Sequence, residues 1–261
     1  DGIRDYKVTE FRRVLFRSAE NNKKNLHVIV DSVSALKDAA NGSPAQLVGD
    51  FYHAAMDTAN IEKLGATPIK GEMEAVDKIS DLTGVMSYVA RLQQWGINPM
   101  FSFYAGQDPK NSEVVVPQVY QGGLSLPDRD YYLKNDDRSK KIREEFAKHV
   151  EAMFKLYGLD ESTAKKYAAT VMRIETSLAG ASMTRVELRD PFKTYHKMTV
   201  AELNGLTPNI KWDAMFTSME VKGKYDYLVL GQPDFVKELD KQVKGNKIDD
   251  WKIYLKWNLL N

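Results

Sequence analysis

Apolar residues recur at every third or fourth position along most of this chain, and that spacing favours α-helices over other elements. In residues 140–158, one helical face carries Ile142, Phe146, Val150, Met153 and Tyr157. Gly158 is expected to end this helix, because glycine readily adopts the left-handed conformation that follows a helical C-terminus. Asp160 is a suitable N-cap for a second helix. The two segments therefore predict an αα-hairpin.

Three further stretches show the helical spacing. Residues 44–65 predict one amphipathic helix ending at Gly65, and residues 71–96 predict two shorter helices separated near Gly84. Residues 246–261 predict a final helix whose apolar side chains are Trp251, Tyr254, Leu255, Trp257, Leu259 and Leu260. Since no later segment is present to cover them, we expect an exposed apolar patch and a marginally stable chain.

Two segments depart from the helical spacing. Residues 98–123 contain two β-rich runs on either side of the turn residues 107–112, which predicts a hairpin. Residues 227–230 form a short apolar run before a glycine and a proline, which predicts a lone strand. The predicted fold class is therefore mainly α with a small β-hairpin element.

The composition narrows the possible functions. The 261 residues suffice for one large or two small domains. With 37 basic and 36 acidic residues, the net charge of +1 gives no electrostatic basis for binding nucleic acid or an anionic membrane. The absence of cysteine excludes disulfides, thiol nucleophiles and cysteine-based zinc sites. No stretch approaches the roughly 18 apolar residues needed to span a bilayer.

Two motifs have clear structural interpretations. Residues 121–133, QGGLSLPDRDYYL, predict a packing corner, because the paired glycines permit a tight turn. Pro127 disfavours the helical conformation in the residue before it, and the two tyrosines supply large anchoring surfaces. Thr199 with Glu202 three residues later matches a capping box at the start of a helix. Neither motif requires a catalytic role.

The corner resembles the signature QxGLgLPsRDYYl of the neprilysin, endothelin-converting enzyme and bacterial PepO peptidases. Four other segments resemble blocks of the same family, in the family's order and with roughly its spacing. They are FYHAAMDTANIEKLGATPI (51–69), FSFYAGQDPKNS (101–112), MTRVELRDPFKTYHKMTVAEL (183–203) and DDWKIYLKWNLL (249–260). The resemblance covers about residues 19–261.

This resemblance implies the helical N-terminal lobe of a zinc metalloendopeptidase. In the family, that lobe pairs with a catalytic lobe around a chamber that admits peptides, and zinc is held by HExxH and ExxxD helices. Neither pattern occurs in this sequence. The resemblance therefore implies a scaffold and chamber wall without catalytic groups, with zinc in the full-length enzyme but none in this fragment. Its implied partners are peptide substrates and the missing C-terminal catalytic lobe, and its implied location in bacteria is outside the cytoplasm.

Two groups of side chains are alternative candidates for a metal site. Asp50, His53 and Asp57 can share one helix face, and Glu145 precedes His149 by one turn. Such histidine–carboxylate pairs on helices are more often surface hydrogen bonds. We therefore predict no catalytic and no metal-binding residue in this chain, and its substrate-binding residues stay unassigned.

The first 18 residues do not fit the resemblance. Residues 10–18, EFRRVLFRS, resemble a translated sequencing-adapter remnant, so residues 1–18 are predicted to be non-native. Residues 19–261 are predicted to be a neprilysin-like N-terminal domain, truncated at its C-terminus and lacking the catalytic domain. The alternative is a stand-alone, non-catalytic helical protein with a binding or structural role.

Overall fold

A computed structural model describes the backbone of residues 2–261 and the side chains of residues 17–261. The chain divides into two compact units, residues 1–68 and residues 69–261. The segment predicted to be non-native, residues 1–18, lies almost entirely outside the described side chains, so its assignment stays a prediction.

The first unit is helical, with α1 (Gly2–Ser34), α2 (Pro44–Met56) and α3 (Thr58–Leu64). Ser43 caps α2 by accepting a hydrogen bond from the amide of Gln46. The single helix expected over residues 44–65 is wrong, because the backbone leaves the helical conformation at Asp57 (φ −77°, ψ 68°). The Asp57 carboxylate accepts a hydrogen bond from the amide of Asn60 (3.1 Å) and so begins a new helix.

The second unit contains the remaining helices and one sheet. The helices are α4 (Lys70–Asp77), α5 (Leu82–Gln94), α6 (Asp130–Leu133), α7 (Asp137–Leu156), α8 (Glu161–Ala181), α9 (Val200–Leu206), α10 (Trp212–Ser218), α11 (Pro233–Gly245) and α12 (Ile248–Leu260). The strands are β1 (Phe101–Asp108), β2 (Asn111–Gln121), β3 (His196–Met198) and β4 (Leu228–Leu230). The predicted mainly α fold class is confirmed.

The sheet has the strand order β1-β2-β4-β3. Strands β1 and β2 form the predicted antiparallel hairpin, in which Phe101 lies opposite Gln121. Strand β4 runs parallel to β2 and antiparallel to β3. The segment 227–230 is therefore not the lone strand that its sequence predicts. Its partners lie far away along the chain, so no local pattern reveals them.

Most of the predicted helix boundaries are confirmed. Gly158 follows α7 with φ +111°, and the Asp160 side chain caps α8 by accepting a hydrogen bond from the amide of Thr163 (3.0 Å). Thr199 and Glu202 form both hydrogen bonds of the predicted capping box at α9. These signals are reliable because each one satisfies backbone groups that a helix end leaves without a partner.

The break within residues 71–96 falls earlier than expected. Helix α4 ends at Asp77, and Asp81 caps α5 by accepting a hydrogen bond from the amide of Gly84 (2.8 Å). Gly84 therefore lies in the first turn of α5 and does not separate the two helices.

Two apolar clusters fill the second unit. The larger one joins α4, α5, α10 and α11 to the sheet and includes the buried side chains of Trp212, Phe216 and Trp251. The smaller one joins α6, α7, α8 and α12 and includes Phe154 and Trp257. Helix α12 contributes to both clusters because it packs against α4 and α5 as well as α7 and α8.

The exposed apolar patch expected on α12 is therefore wrong. Trp251, Tyr254, Leu255 and Trp257 are fully buried, and Leu259 and Leu260 are half-buried. Earlier segments of the same chain cover these side chains, and a reading of residues in sequence order does not reveal that cover.

Candidate functional site

The first candidate metal-binding group consists of Asp50, His53 and Asp57, and these side chains do not converge on one point. The Nε2 atom of His53 lies 2.8 Å from the carbonyl oxygen of Ser34. Asp57 caps α3, and Asp50 accepts a hydrogen bond from the side chain of Gln46. Asp50 and Asp57 therefore stabilise their own helical turns, and His53 connects α2 to the C-terminal end of α1.

The second candidate group consists of Glu145 and His149, and each of these side chains contacts a different residue. Glu145 forms an ion pair with Lys148 (2.9 Å), while the ring of His149 packs edge-on against Trp257, with 5.9 Å between ring centroids. Among residues 17–261, no three histidine, aspartate or glutamate side chains converge in a way that suits a metal ion. The described residues thus do not fit a zinc site.

The corner formed by residues 121–133 makes a close backbone contact. Gly123 has φ +75°, and a β-carbon there would lie 2.7 Å from both the Met100 amide nitrogen and the Tyr254 hydroxyl oxygen. That hydroxyl donates to the carbonyl oxygen of Gly123 (2.7 Å) and accepts from the amide of Met100 (3.1 Å). The side chain of Tyr254 thereby ties α12 to the corner and to the start of β1.

A buried carboxylate lies beneath this corner. Glu175 on α8 is only 1% exposed. Its carboxylate accepts hydrogen bonds from the Ser125 amide (3.0 Å) and the Ser125 hydroxyl (2.7 Å). It also accepts a short hydrogen bond from the hydroxyl of Tyr132. Three donors from the corner therefore satisfy one carboxylate on α8.

Further donors fix the direction of these hydrogen bonds. The Tyr132 hydroxyl accepts from the Leu126 amide (2.9 Å), and the Ser125 hydroxyl accepts from the Trp257 indole (2.8 Å). Both hydroxyl protons are thus free to point at Glu175. Burial raises the pKa of Glu175, although the hydrogen bonds that it accepts oppose that rise. The carboxylate fixes the corner and is not accessible to a substrate.

A surface cleft of about 340 Å³ lies beside the corner. It is bordered by two arginines, of which Arg185 binds the carboxylate of Asp128 (2.8 Å) and Arg129 donates to the carbonyl oxygen of Ala179 (3.2 Å). The residues that line it include no histidine, lysine or glutamate. The cleft can contact a polar ligand, but its lining does not pair a nucleophile with a general base.

A second polar cluster holds the tip of the β1–β2 hairpin. The carboxylate of Asp108 accepts hydrogen bonds from the hydroxyls of Tyr227 (2.6 Å) and Tyr195 (3.1 Å). The bond from Tyr227 is the main reason that the pKa of Asp108 is lowered, and it raises the pKa of Tyr227 to about 12. The ammonium groups of Lys110 and Lys197 lie 4.2 Å and 3.7 Å from the tyrosine ring centroids.

Glu175 is not among the residues that the sequence patterns single out. The signal was its position on α8, in line with the apolar residues Ala168, Val171 and Leu178. A carboxylate within such a stripe must be buried, and buried carboxylates require hydrogen-bond donors. The positions of Ser125 and Tyr132 in the corner motif then supply those donors.

The chain is similar in sequence to several peptidases. It is 29% identical over 248 residues to endothelin-converting enzyme 1 of Rattus norvegicus, which aligns 90% of this chain with 31% of that protein. It is 29% identical over 227 residues to neprilysin-3 of Drosophila melanogaster, covering 79% of this chain and 29% of that protein. The chain thus spans about a third of the length of the curated relatives that it matches.

Solved structures share the fold. The crystal structure of Mycobacterium tuberculosis zinc metalloprotease Zmp1 with an inhibitor superposes with a TM-score of 0.82 and 28% identity. That superposition covers 95% of this chain and 37% of Zmp1. PepO from Lactobacillus rhamnosis shows a likeness of fold, with a TM-score of 0.72 and 15% identity over 93% of this chain and 38% of PepO.

The family match extends along nearly the whole chain. The model of the N-terminal region of Peptidase family M13 matches residues 12–261. The match begins within the segment predicted to be non-native, and it includes all five sequence blocks that resemble the neprilysin-like peptidases. The resemblance is confirmed: the chain belongs to Peptidase family M13, a family of zinc metallopeptidases, and corresponds to its N-terminal region.

Proposed function

We propose that this chain is the scaffold region of a zinc metalloendopeptidase and forms part of the wall of an enclosed chamber. A catalytic lobe of the same protein would hydrolyse peptides inside that chamber. The observation that carries this proposal is the superposition on Zmp1, which covers 95% of this chain but only 37% of the zinc metalloprotease. The HExxH and ExxxD patterns are absent from these 261 residues, which supports a role without catalytic groups.

The polar clusters support the same proposal. Glu175 and Asp108 each receive hydrogen bonds from separate elements of the second unit, so both stabilise the architecture. When bound in the catalytic lobe, zinc would supply Lewis-acid chemistry and an activated water. The described residues of this chain would hold no zinc and would contribute shape and contact surface.

The setting of the enzyme belongs to the proposal as well. Family resemblance supports a protein exported by a bacterium to the periplasm, the cell envelope or the exterior. Within the described part of the chain, no helix has the length and apolar character required to cross a membrane.

The proposal is tested by comparing two proteins. One is this chain alone, and the other is this chain joined to the part of Zmp1 that lies beyond the superposed region. We expect the chain alone to contain no stoichiometric zinc by mass spectrometry and to leave a fluorogenic peptide intact. The chimera should bind one zinc and cleave that peptide, while a chimera with glutamine in place of the HExxH glutamate should bind zinc without cleavage.

Two outcomes contradict the proposal. Peptide hydrolysis by the purified chain alone would place catalytic groups within these residues. Cleavage of a folded protein by the chimera, at a rate similar to that of the short peptide, would show that this region does not enclose a chamber.

A further inference from the structure

One edge of the sheet is open. Strand β1 stands at the end of the order β1-β2-β4-β3, and among the described residues its only strand partner is β2. At the opposite end, β3 is three residues long and carries the exposed Lys197. Short strands and lysines are common features that prevent an edge strand from pairing with another strand. The β3 edge has both of these features, whereas β1 is eight residues long and has no lysine.

The register shows which backbone groups of β1 face away from β2. The carbonyl oxygen of Val119 accepts from the amide of Gly231 (2.8 Å), so Val119 directs its backbone groups towards β4. Phe103 lies opposite Val119, and Ala105 lies opposite Pro117, which has no amide hydrogen. Because these directions alternate along an antiparallel strand, Phe103 and Ala105 present their N–H and C=O groups to the open edge.

The neighbouring outward carbonyl groups already have partners. The carbonyl oxygen of Phe101 accepts from the Gln93 side chain (3.0 Å), and that of Gln107 accepts from the Gln118 side chain (2.9 Å). No hydrogen bond from the described residues reaches the backbone of Phe103 or Ala105 on this side. The open part of the edge is therefore a defined stretch with two donors and two acceptors.

This stretch lacks the features that usually prevent an edge strand from pairing with another strand. The strand sequence FSFYAGQD contains neither lysine nor proline, and its one irregularity lies at its end, between Gln107 and Asp108. Ala105 is exposed, and Tyr104 is 48% exposed. The ring of Tyr104 stacks on Tyr120, with 5.8 Å between centroids, and forms a flat aromatic surface beside the edge.

We propose that the open edge of β1 at Phe103–Ala105 binds an extended peptide, which adds to the sheet as a further strand. Donor–acceptor pairs on every second residue match the repeat of an extended peptide backbone. The neutral edge and the aromatic surface of Tyr104 suit a peptide with uncharged or apolar side chains. This inference rests on the proposed function, since it makes one part of the chamber wall a contact for the peptide substrate.

Binding is measured on this chain alone, without hydrolysis, so its failure is distinct from failure of the peptidase proposal. The probe is a fluorescein-labelled ten-residue peptide of alternating valine and threonine, and the readout is fluorescence polarisation. The matched probe has the same sequence with every backbone nitrogen methylated, which removes its hydrogen-bond donors. We expect saturable binding of the first peptide and at least tenfold weaker binding of the second.

The test variant is Ala105→Pro. It removes an amide hydrogen that points away from β2, and edge strands tolerate proline at such positions. The control is Ala105→Val, which keeps the amide. We expect Ala105→Pro to weaken binding at least tenfold and Ala105→Val to change it less than threefold.

Hydrogen exchange locates the contact without relying on a variant. We expect the amides of Phe103 and Ala105 to gain protection when the unmethylated peptide is added. No binding, protection confined to other regions, or equal binding by the methylated peptide would overturn the proposal. So would self-association of this chain through the β1 edge in sedimentation experiments, because a second copy would then be its occupant.

Discussion

Replacing Gly123 by alanine tests whether the family corner depends on close backbone approach. The residue has φ +75°, a conformation that costs an L-residue roughly 1–2 kcal/mol. The new β-carbon would also lie 2.7 Å from the amide nitrogen of Met100 and 2.7 Å from the hydroxyl oxygen of Tyr254. Both contacts are far shorter than van der Waals separation.

The two effects add to a large fraction of the stability of a domain. Overpacking a rigid site typically costs about 1–3 kcal/mol. With the conformational cost, we expect Gly123→Ala to lower the free energy of unfolding by about 2–5 kcal/mol, out of roughly 5–15 kcal/mol for a whole domain. The displaced Tyr254 would also lose its hydrogen bonds to Gly123 and Met100.

Gly96→Ala is the matched control. Gly96 has φ +83°, and a β-carbon there meets no atom within 4 Å. This variant therefore carries the conformational cost without the steric overlap, and we expect a loss of roughly 1–2 kcal/mol. Both variants are measured by urea unfolding, followed by circular dichroism and by tryptophan fluorescence.

The difference in unfolding free energy between the two variants measures the cost of the steric overlap at Gly123. If Gly123→Ala is no less stable than Gly96→Ala, the corner relaxes around the added methyl group. The tight contact among Gly123, Met100 and Tyr254 would then not explain the need for glycine at this position.

Three further changes probe other features. Glu175→Gln should lower the free energy of unfolding by about 1–3 kcal/mol, because the new amide donors face groups that already donate; equal loss in the exposed variant Glu144→Gln would contradict this. Asp108→Asn should be less stable than the wild type at pH 7. Since the pKa of Asp108 is lowered in the folded state, that difference should shrink in acid denaturation as the pH falls below the ordinary value of 3.8, and a constant difference would refute the assignment. Trp257→Ala should cost about 3–5 kcal/mol, whereas Leu156→Ala, at a side chain that is 79% exposed, should change stability by less than about 0.5 kcal/mol.

Local signals in the sequence predicted local structure well. The N-caps and the capping box at Thr199 involve hydrogen bonds between residues three apart, so the sequence contains all the partners. The break at Asp57 was missed because apolar residues continue at helical spacing on both sides of it. One aspartate can either extend a helix or cap the next one, and here its carboxylate caps α3.

Features that depend on distant partners were predicted poorly. The burial of Trp257 depends on α7 and α8, about 100 residues earlier in the chain. The strand at 228–230 acquires its partners from β2 and β3, and Glu175 acquires its donors from the corner. The family blocks identified the region as a whole, but the hydrogen bonds that connect those blocks required the structure.

The hydrogen bond from Tyr254 to the carbonyl oxygen of Gly123 joins residues that are 131 positions apart. At a translation rate of roughly 5–20 residues per second, the corner is synthesised about 7–26 s before its partner on α12. Until α12 is made, both apolar clusters lack one side, and the nascent chain exposes surface that the finished fold buries. A stop codon shortly before residue 248 would thus release a chain suited to chaperone binding or degradation rather than a slightly shorter domain, and a ribosome pause there would prolong the exposure of the same apolar surface.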